Sequence, residues 1–201
     1  TALEVLPKSL PRLLQQEALR EWSYWCREDQ FEPVGDWRCW VFMGGRGAGK
    51  TRAGAEWASE LARSGRAGRI ALIGPTFHDV REVMIEGHSG MRSLPRERPV
   101  YEASRKRLVW CNGAQASCLS AEDPESLRGP QFDAAWCDEL CYWSYPDETL
   151  ETLQLGLRLG VRPRMMVTTT PRPMRALKSL LAQRDTVVTR AATLDNRKNL
   201  S

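Results

Sequence analysis

Gly44-Gly45-Arg46-Gly47-Ala48-Gly49-Lys50-Thr51 follows a short apolar run, Trp37 to Met43, and leads into a helix-like stretch, Ala53 to Arg63. The eight residues satisfy G-x-x-x-x-G-K-[ST] in full. Small residues let a backbone fold tightly around an anion with its N–H groups turned inward, and a following helix adds its positive end. A glycine-rich turn between strand and helix would need neither Lys50 nor Thr51. Lys50 is therefore expected to reach the β- and γ-phosphates of ATP, and the Thr51 hydroxyl to ligate Mg²⁺. Gly44, Gly45, Arg46, Gly47, Ala48 and Gly49 complete the expected nucleotide-binding loop.

Outward from the loop, strand and helix signals alternate. Arg69 to Gly74 (RIALIG), Ala134 to Asp138, Met165 to Thr169 and Thr186 to Arg190 are short runs of strand character. Ala53 to Arg63, Thr76 to Glu86 and Thr149 to Leu159 carry helical spacing. Asn112-Gly113, between Leu108–Cys111 and Ala116–Ser120, is the signature of a tight hairpin. Residues 90 to 107, with Pro95 and Pro99, read as a polar loop turned outward, and Arg96, Arg98, Arg105, Lys106 and Arg107 in it could follow a phosphate backbone. A solvated charged loop reads equally well. Leu10, Leu14, Ala18, Trp22 and Trp25 share one arc of a helix over 9 to 25. Such alternation predicts an α/β fold of the P-loop NTPase kind, a mainly parallel central sheet with helices on both faces.

Asp138-Glu139 ends an apolar run, Phe132 to Cys137. At the C-terminal edge of a parallel sheet, two acids there would face the phosphate loop. Asp138 is placed to hold hydrated Mg²⁺, and Glu139 to accept a proton from attacking water. A surface acidic turn is the plain alternative, with Asp147, Glu148 and Glu151 nearby. The acid-bearing run is not the next strand after the loop helix. That separation suggests the branch of P-loop proteins with an inserted strand and a catalytic glutamate.

Thr168-Thr169-Thr170 closes another strand. Thr suits strands and Pro171 ends one, yet hydroxyls at that edge could equally sense a γ-phosphate. Arg46 lies within the loop itself. Arg128 sits on a Gly-Pro loop eleven residues before Glu139, and Gln30, fourteen before Gly44, could read an adenine edge through its amide.

The 201 residues suit one domain, with residues 1–36 as a helix and adenine-side loop and 37–201 as the core. No apolar run approaches a membrane span, and no export signal opens the chain, so the default compartment is the cytoplasm. Six cysteines without a C-x-x-C pair and only two histidines argue against a zinc site. The net charge is +4, with basic residues mostly Arg, which permits a phosphate-rich partner.

Residues 40 to 57, W-V-F-M-G-G-R-G-A-G-K-T-R-A-G-A-E-W, resemble the phosphate-loop region of large terminase subunits, the DNA-packaging ATPases of tailed phages and phage-like gene transfer agents. S-L-R-G-P-Q-F-D-A-A-W-C-D-E (126–139), L-Q-L-G-L-R-L-G (153–160), V-T-T-T-P-R-P (167–173) and T-L-D-N-R-K-N-L-S (193–201) are similar too. The resemblance implies an ATPase that moves double-stranded DNA into a procapsid, as a homo-oligomeric ring with portal protein and small terminase subunit, in the bacterial host cytoplasm. It implies coupling roles for Thr168, Thr169 and Thr170, an adenine contact for Gln30, a phosphate-loop role for Arg46, and a role for Arg128 in a neighbouring subunit's site. A C-terminal nuclease domain, usual in the family, is not expected within these residues, and the isolated domain is expected to be a monomer. A helicase or recombination-type ATPase, or a nucleotide-binding switch with little turnover, would share the loop.

Overall fold

The computed structural model describes residues 21–95 and 98–192. The expected helix over 9 to 25 falls mostly outside these residues, as do Arg96 and the stretch 193–201. Eight strands form one sheet: β1 Cys39–Gly44, β2 Arg69–Gly74, β3 Val100–Glu102, β4 Arg107–Val109, β5 Gln115–Ser120, β6 Ala134–Asp138, β7 Arg164–Thr169 and β8 Thr186–Ala191. Their order is β3-β4-β5-β2-β6-β7-β1-β8. The six strands from β5 to β8 in that order pair in parallel, while β3, β4 and β5 pair antiparallel to one another.

The unbroken apolar runs are explained by burial on both faces. In β1, Trp40 and Phe42 face one side and Val41 and Met43 the other, and all four are buried. Helix α1, Lys50–Arg63, packs on the first face with Ala53, Trp57 and Leu61, together with α2, Phe77–Asp79, and the π-helix Val80–Ile85 that continues it. Helices α3, Pro146–Gly156, and α4, Arg175–Leu181, cover the second face through Leu150, Leu153, Leu177 and Leu180. Contact between α1 and the sheet is close: a Cβ built on Gly54 would lie 2.1 Å from the Trp136 ring.

β7 lies between β1 and β6, so the loop-bearing and acid-bearing strands are separated by one inserted strand, as the sequence suggested. Three expectations need correction. The described residues of 90 to 107 are not an outward loop, because Met91 and Leu94 are buried and β3 and β4 add to the sheet edge. Trp22–Tyr24 forms a 3-10 turn, not the end of an α-helix. Helix α4 was not anticipated, since Pro171 and Pro173 mask its start. The hairpin is present: the Gly113 N–H donates to the Trp110 carbonyl at 3.0 Å, with Gly113 at φ +86°.

Candidate active site

The parallel order brings the ends of β1, β6 and β7 to one edge, where a cleft of about 1160 Å³ opens. Arg46, Gly47, Ala48, Gly49, Lys50 and Thr51 line it, with Glu139 and Thr170 opposite. Gly49 is the residue before α1 and adopts φ +82°; a Cβ there would come within 2.5 Å of the Gln30 amide nitrogen. The loop therefore needs glycine for both its backbone and its closeness to Gln30. Helix α1 has fourteen residues and no side-chain cap at its N-terminus, and its first residues, Lys50, Thr51 and Arg52, line the cleft.

Lys50 is 5% exposed, and its Nζ has three oxygen partners. It donates to the Gly45 carbonyl at 3.1 Å and to Thr170 Oγ1 at 3.2 Å, and pairs with Glu139 Oε1 at 3.2 Å. The other Glu139 oxygen, Oε2, accepts the Thr170 backbone N–H at 3.1 Å. Glu139 adopts the left-handed conformation, φ +49° and ψ +48°, which turns the chain sharply after β6.

Asp138 lies behind this pair and is 3% exposed. Its Oδ1 accepts the Thr168 hydroxyl at 2.6 Å, and that hydroxyl accepts the Trp136 indole N–H at 2.9 Å. Burial pushes the Asp138 carboxyl up to about 7, with nearby Glu139 adding to the rise, while the Thr168 bond and Lys50 pull against it. Thr169 Oγ1 accepts the Cys141 N–H at 3.0 Å. Each of the three threonines thus contacts the acid-bearing segment or Lys50.

Thr51 and Asp138 offer a hydroxyl and a carboxylate, hard oxygen donors. Among the described residues no group of three or more His, Cys, Asp or Glu could cage a metal. This donor set fits Mg²⁺, which keeps several waters and uses one or two protein carboxylates plus phosphate oxygens.

Gln30 is buried against the loop: its Nε2 donates to the Gly49 carbonyl at 3.2 Å and its Oε1 accepts the Arg27 N–H at 3.1 Å. Arg27 Nη2 in turn donates to the Ala48 carbonyl at 2.8 Å. Trp22 and Trp25, which the helical arc assigned to a packed face, line the cleft beside Gln30. The Arg52 guanidinium lies 5.5 Å from the Trp22 ring centre. Arg46 is exposed at the rim. Arg128 does not line the cleft; its side chain is 64% exposed and pairs with Glu125 at 3.0 Å. Sequence reasoning missed Arg27, Trp22, Trp25 and Tyr142 as cleft neighbours. None of them has a fixed spacing to the loop that could have pointed to it.

A family model described as "Terminase large subunit, T4likevirus-type, N-terminal" matches residues 41–191. The chain belongs to this terminase family. Among solved structures it is similar to the large terminase ATPase domain of Thermus phage P74-26, with TM-score 0.60 and 17% identity over 84% of each chain. The large terminase of a second, thermophilic bacteriophage, solved with ADP, gives TM-score 0.68 at 15% identity over 92% of this chain. The same phage protein with ATP-γ-S gives 0.65 at 15% identity. This chain spans 46% of the length of that second terminase. At such identities the likeness shows the fold, a P-loop NTPase sheet of terminase type. No curated protein sequence matches the chain. Among the described residues, no helix of this terminase domain is long and apolar enough to cross a membrane.

Proposed function

We propose that this chain is the ATP-hydrolysing motor domain of a large terminase subunit, driving double-stranded DNA into a procapsid. The observation that carries the reading is the meeting of Lys50, Glu139 and Thr170 in one cleft, at the N-terminus of α1. Trp22 and Trp25 line the same cleft as the phosphate-type loop, and aromatic rings beside such a loop suit a nucleoside triphosphate.

On ATP binding, the loop N–H groups take the β- and γ-phosphate oxygens, and Lys50 exchanges Glu139 for phosphate. That exchange frees Glu139 Oε1 to accept a proton from the attacking water, while the Thr170 N–H keeps Oε2 in place. Thr51 and Asp138 would be the protein ligands of a Mg²⁺ ion, which would neutralise charge on the phosphates when bound. Loss of the γ-phosphate changes the partners of Lys50 and so of Thr170, and this is how β7 could register hydrolysis. Gln30 and Arg46 serve at the adenine side and the phosphate rim.

The portal protein, the small terminase subunit and a ring of like subunits are the partners this role requires, in a bacterial cytoplasm. The basic cluster near β4 is a weaker candidate for the DNA contact than its charge suggested. Arg107 is bonded to Glu102 at 2.7 Å and to Gln115 at 2.8 Å, and Lys106 stacks on Phe77 at 4.5 Å.

Steady-state ATP hydrolysis with and without linear duplex DNA tests the reading. Turnover should rise with DNA. Glu139→Gln should keep ATP affinity while turnover falls ~10²-fold or more. Lys50→Ala should lose affinity as well. Turnover of Glu139→Gln within threefold of wild type removes Glu139 from the role of base, and DNA-independent turnover removes the translocase reading.

A further inference from the structure

Glu139 owes its position to a turn that carries strain, and the turn is fastened on two sides. Among the described residues, Glu139 and Lys106 alone combine a side chain with positive φ, a conformation that a Cβ disfavours. The turn is closed by the Tyr142 N–H donating to the Glu139 carbonyl at 2.8 Å and the Trp143 N–H to the Leu140 carbonyl at 3.1 Å. Its inner side is packed: Leu140 and Cys141 are buried, and the Trp143 indole donates to the Asp138 carbonyl at 2.9 Å.

The outer side is different. Tyr142 is 49% exposed and lines the mouth of the cleft. The Arg172 guanidinium lies 3.9 Å from the centre of its ring. Arg172 follows Thr170 by two residues, across Pro171, and among the described residues no carboxylate pairs with it. The end of β7 and the segment after it are therefore tied to the segment after β6 three times: Thr170 N–H to Glu139 Oε2, Cys141 N–H to Thr169 Oγ1, and Arg172 to Tyr142. The third tie faces solvent.

We propose that Arg172 and Tyr142 are a positioning pair that clamps the Glu139 turn from its solvent side and so sets the rate of hydrolysis. The pair acts through Glu139 and does not touch the phosphates, so its loss lowers kcat and spares KM for ATP. Small displacements of a base relative to its water are costly in rate. The inference rests on the hydrolytic role of Glu139 proposed above.

The test compares Arg172→Ala, Tyr142→Ala, Tyr142→Phe and the double alanine variant in the full native chain. Each alanine variant should lower kcat about fivefold or more, with KM for ATP within twofold of wild type. Tyr142→Phe keeps the ring and should behave as wild type, and the double variant should be no slower than the slower single one. Amide hydrogen exchange at Tyr142 and Trp143, which needs no turnover, should accelerate in both alanine variants. Unchanged exchange, kcat within twofold of wild type, additive losses, or a rise in KM at constant kcat each overturn the clamp. If exchange accelerates as expected but wild-type protein with ATP shows no hydrolysis, the clamp stands and the ATPase reading fails.

Discussion

Asp138 combines near-complete burial with a carboxyl raised to about 7. In metal-free buffer the folded protein holds this proton to higher pH than the unfolded chain, where the ordinary value is 3.8. The folded state therefore binds more protons between those two values, and stability falls as pH rises through that window and levels off above it. The melting temperature of the wild type should drop more from pH 5 to pH 8 than that of Asp138→Asn, in which the group cannot ionise. Equal slopes would mean that Asp138 is ionised in the folded protein throughout. That Lys50, Thr51, Asp138 and Glu139 would come to one sheet edge was legible in the sequence, because phosphate chemistry points to those residue types there. Tyr142, Trp22 and Trp25 were not, since only the fold brings them to the cleft, and Arg172 was not, since only the fold brings it to Tyr142. The arc that grouped Trp22 and Trp25 on one helical face assumed a periodicity that the 3-10 turn at Trp22–Tyr24 does not have.

Helix α1 sits so near β6 that Gly54 has the Trp136 ring where a side chain would begin. Gly54→Ala gains about 1 kcal/mol of helix propensity, but the added methyl must displace a ring that is fully buried and bonded to Thr168. Overpacking of this kind costs about 1–3 kcal/mol, so net destabilisation is expected in urea unfolding. The Thr168–Asp138 bond should be disturbed with it. A variant more stable than wild type would show that α1 can move outward from the sheet. Strands such as RIALIG and AAWCD could be read almost to the residue, since a strand buried on both faces has an unbroken apolar run. β3 could not: at the sheet edge it carries Val100, Tyr101 and Glu102, of which none is buried, and nothing in that composition separates an edge strand from a loop.

Arg128, exposed on its loop and away from its own cleft, suits service to a neighbour's nucleotide. In a ring, an Arg128→Ala subunit with an intact cleft mixed with a Glu139→Gln subunit that keeps its arginine should recover turnover that neither has alone. An arginine supplied in trans contributes ~10³-fold or more in related phosphoryl transfers, so recovery should be easy to detect. Co-assembled mixtures without recovery would leave Arg128 with only its Glu125 contact. The alternation of strands and helices foretold the layered sheet, and the distance between loop and acids foretold the inserted strand, but strand order beyond that depends on crossovers that no local pattern records. That order has a kinetic side. Among the described residues β1 pairs with β7 and β8 alone, so Cys39 waits for Met165 before it has any strand partner and for Thr186 before it has both. At ~5–20 residues per second of synthesis, the wait for β7 is on the order of ten seconds, during which Trp40, Val41, Phe42 and Met43 have no neighbouring strand to cover them. Pairings so distant along the chain form slowly. The nascent polypeptide thus makes its phosphate loop early and can shape it only late, and ribosome-bound chains shorter than about 165 residues should need a chaperone and grip no nucleotide.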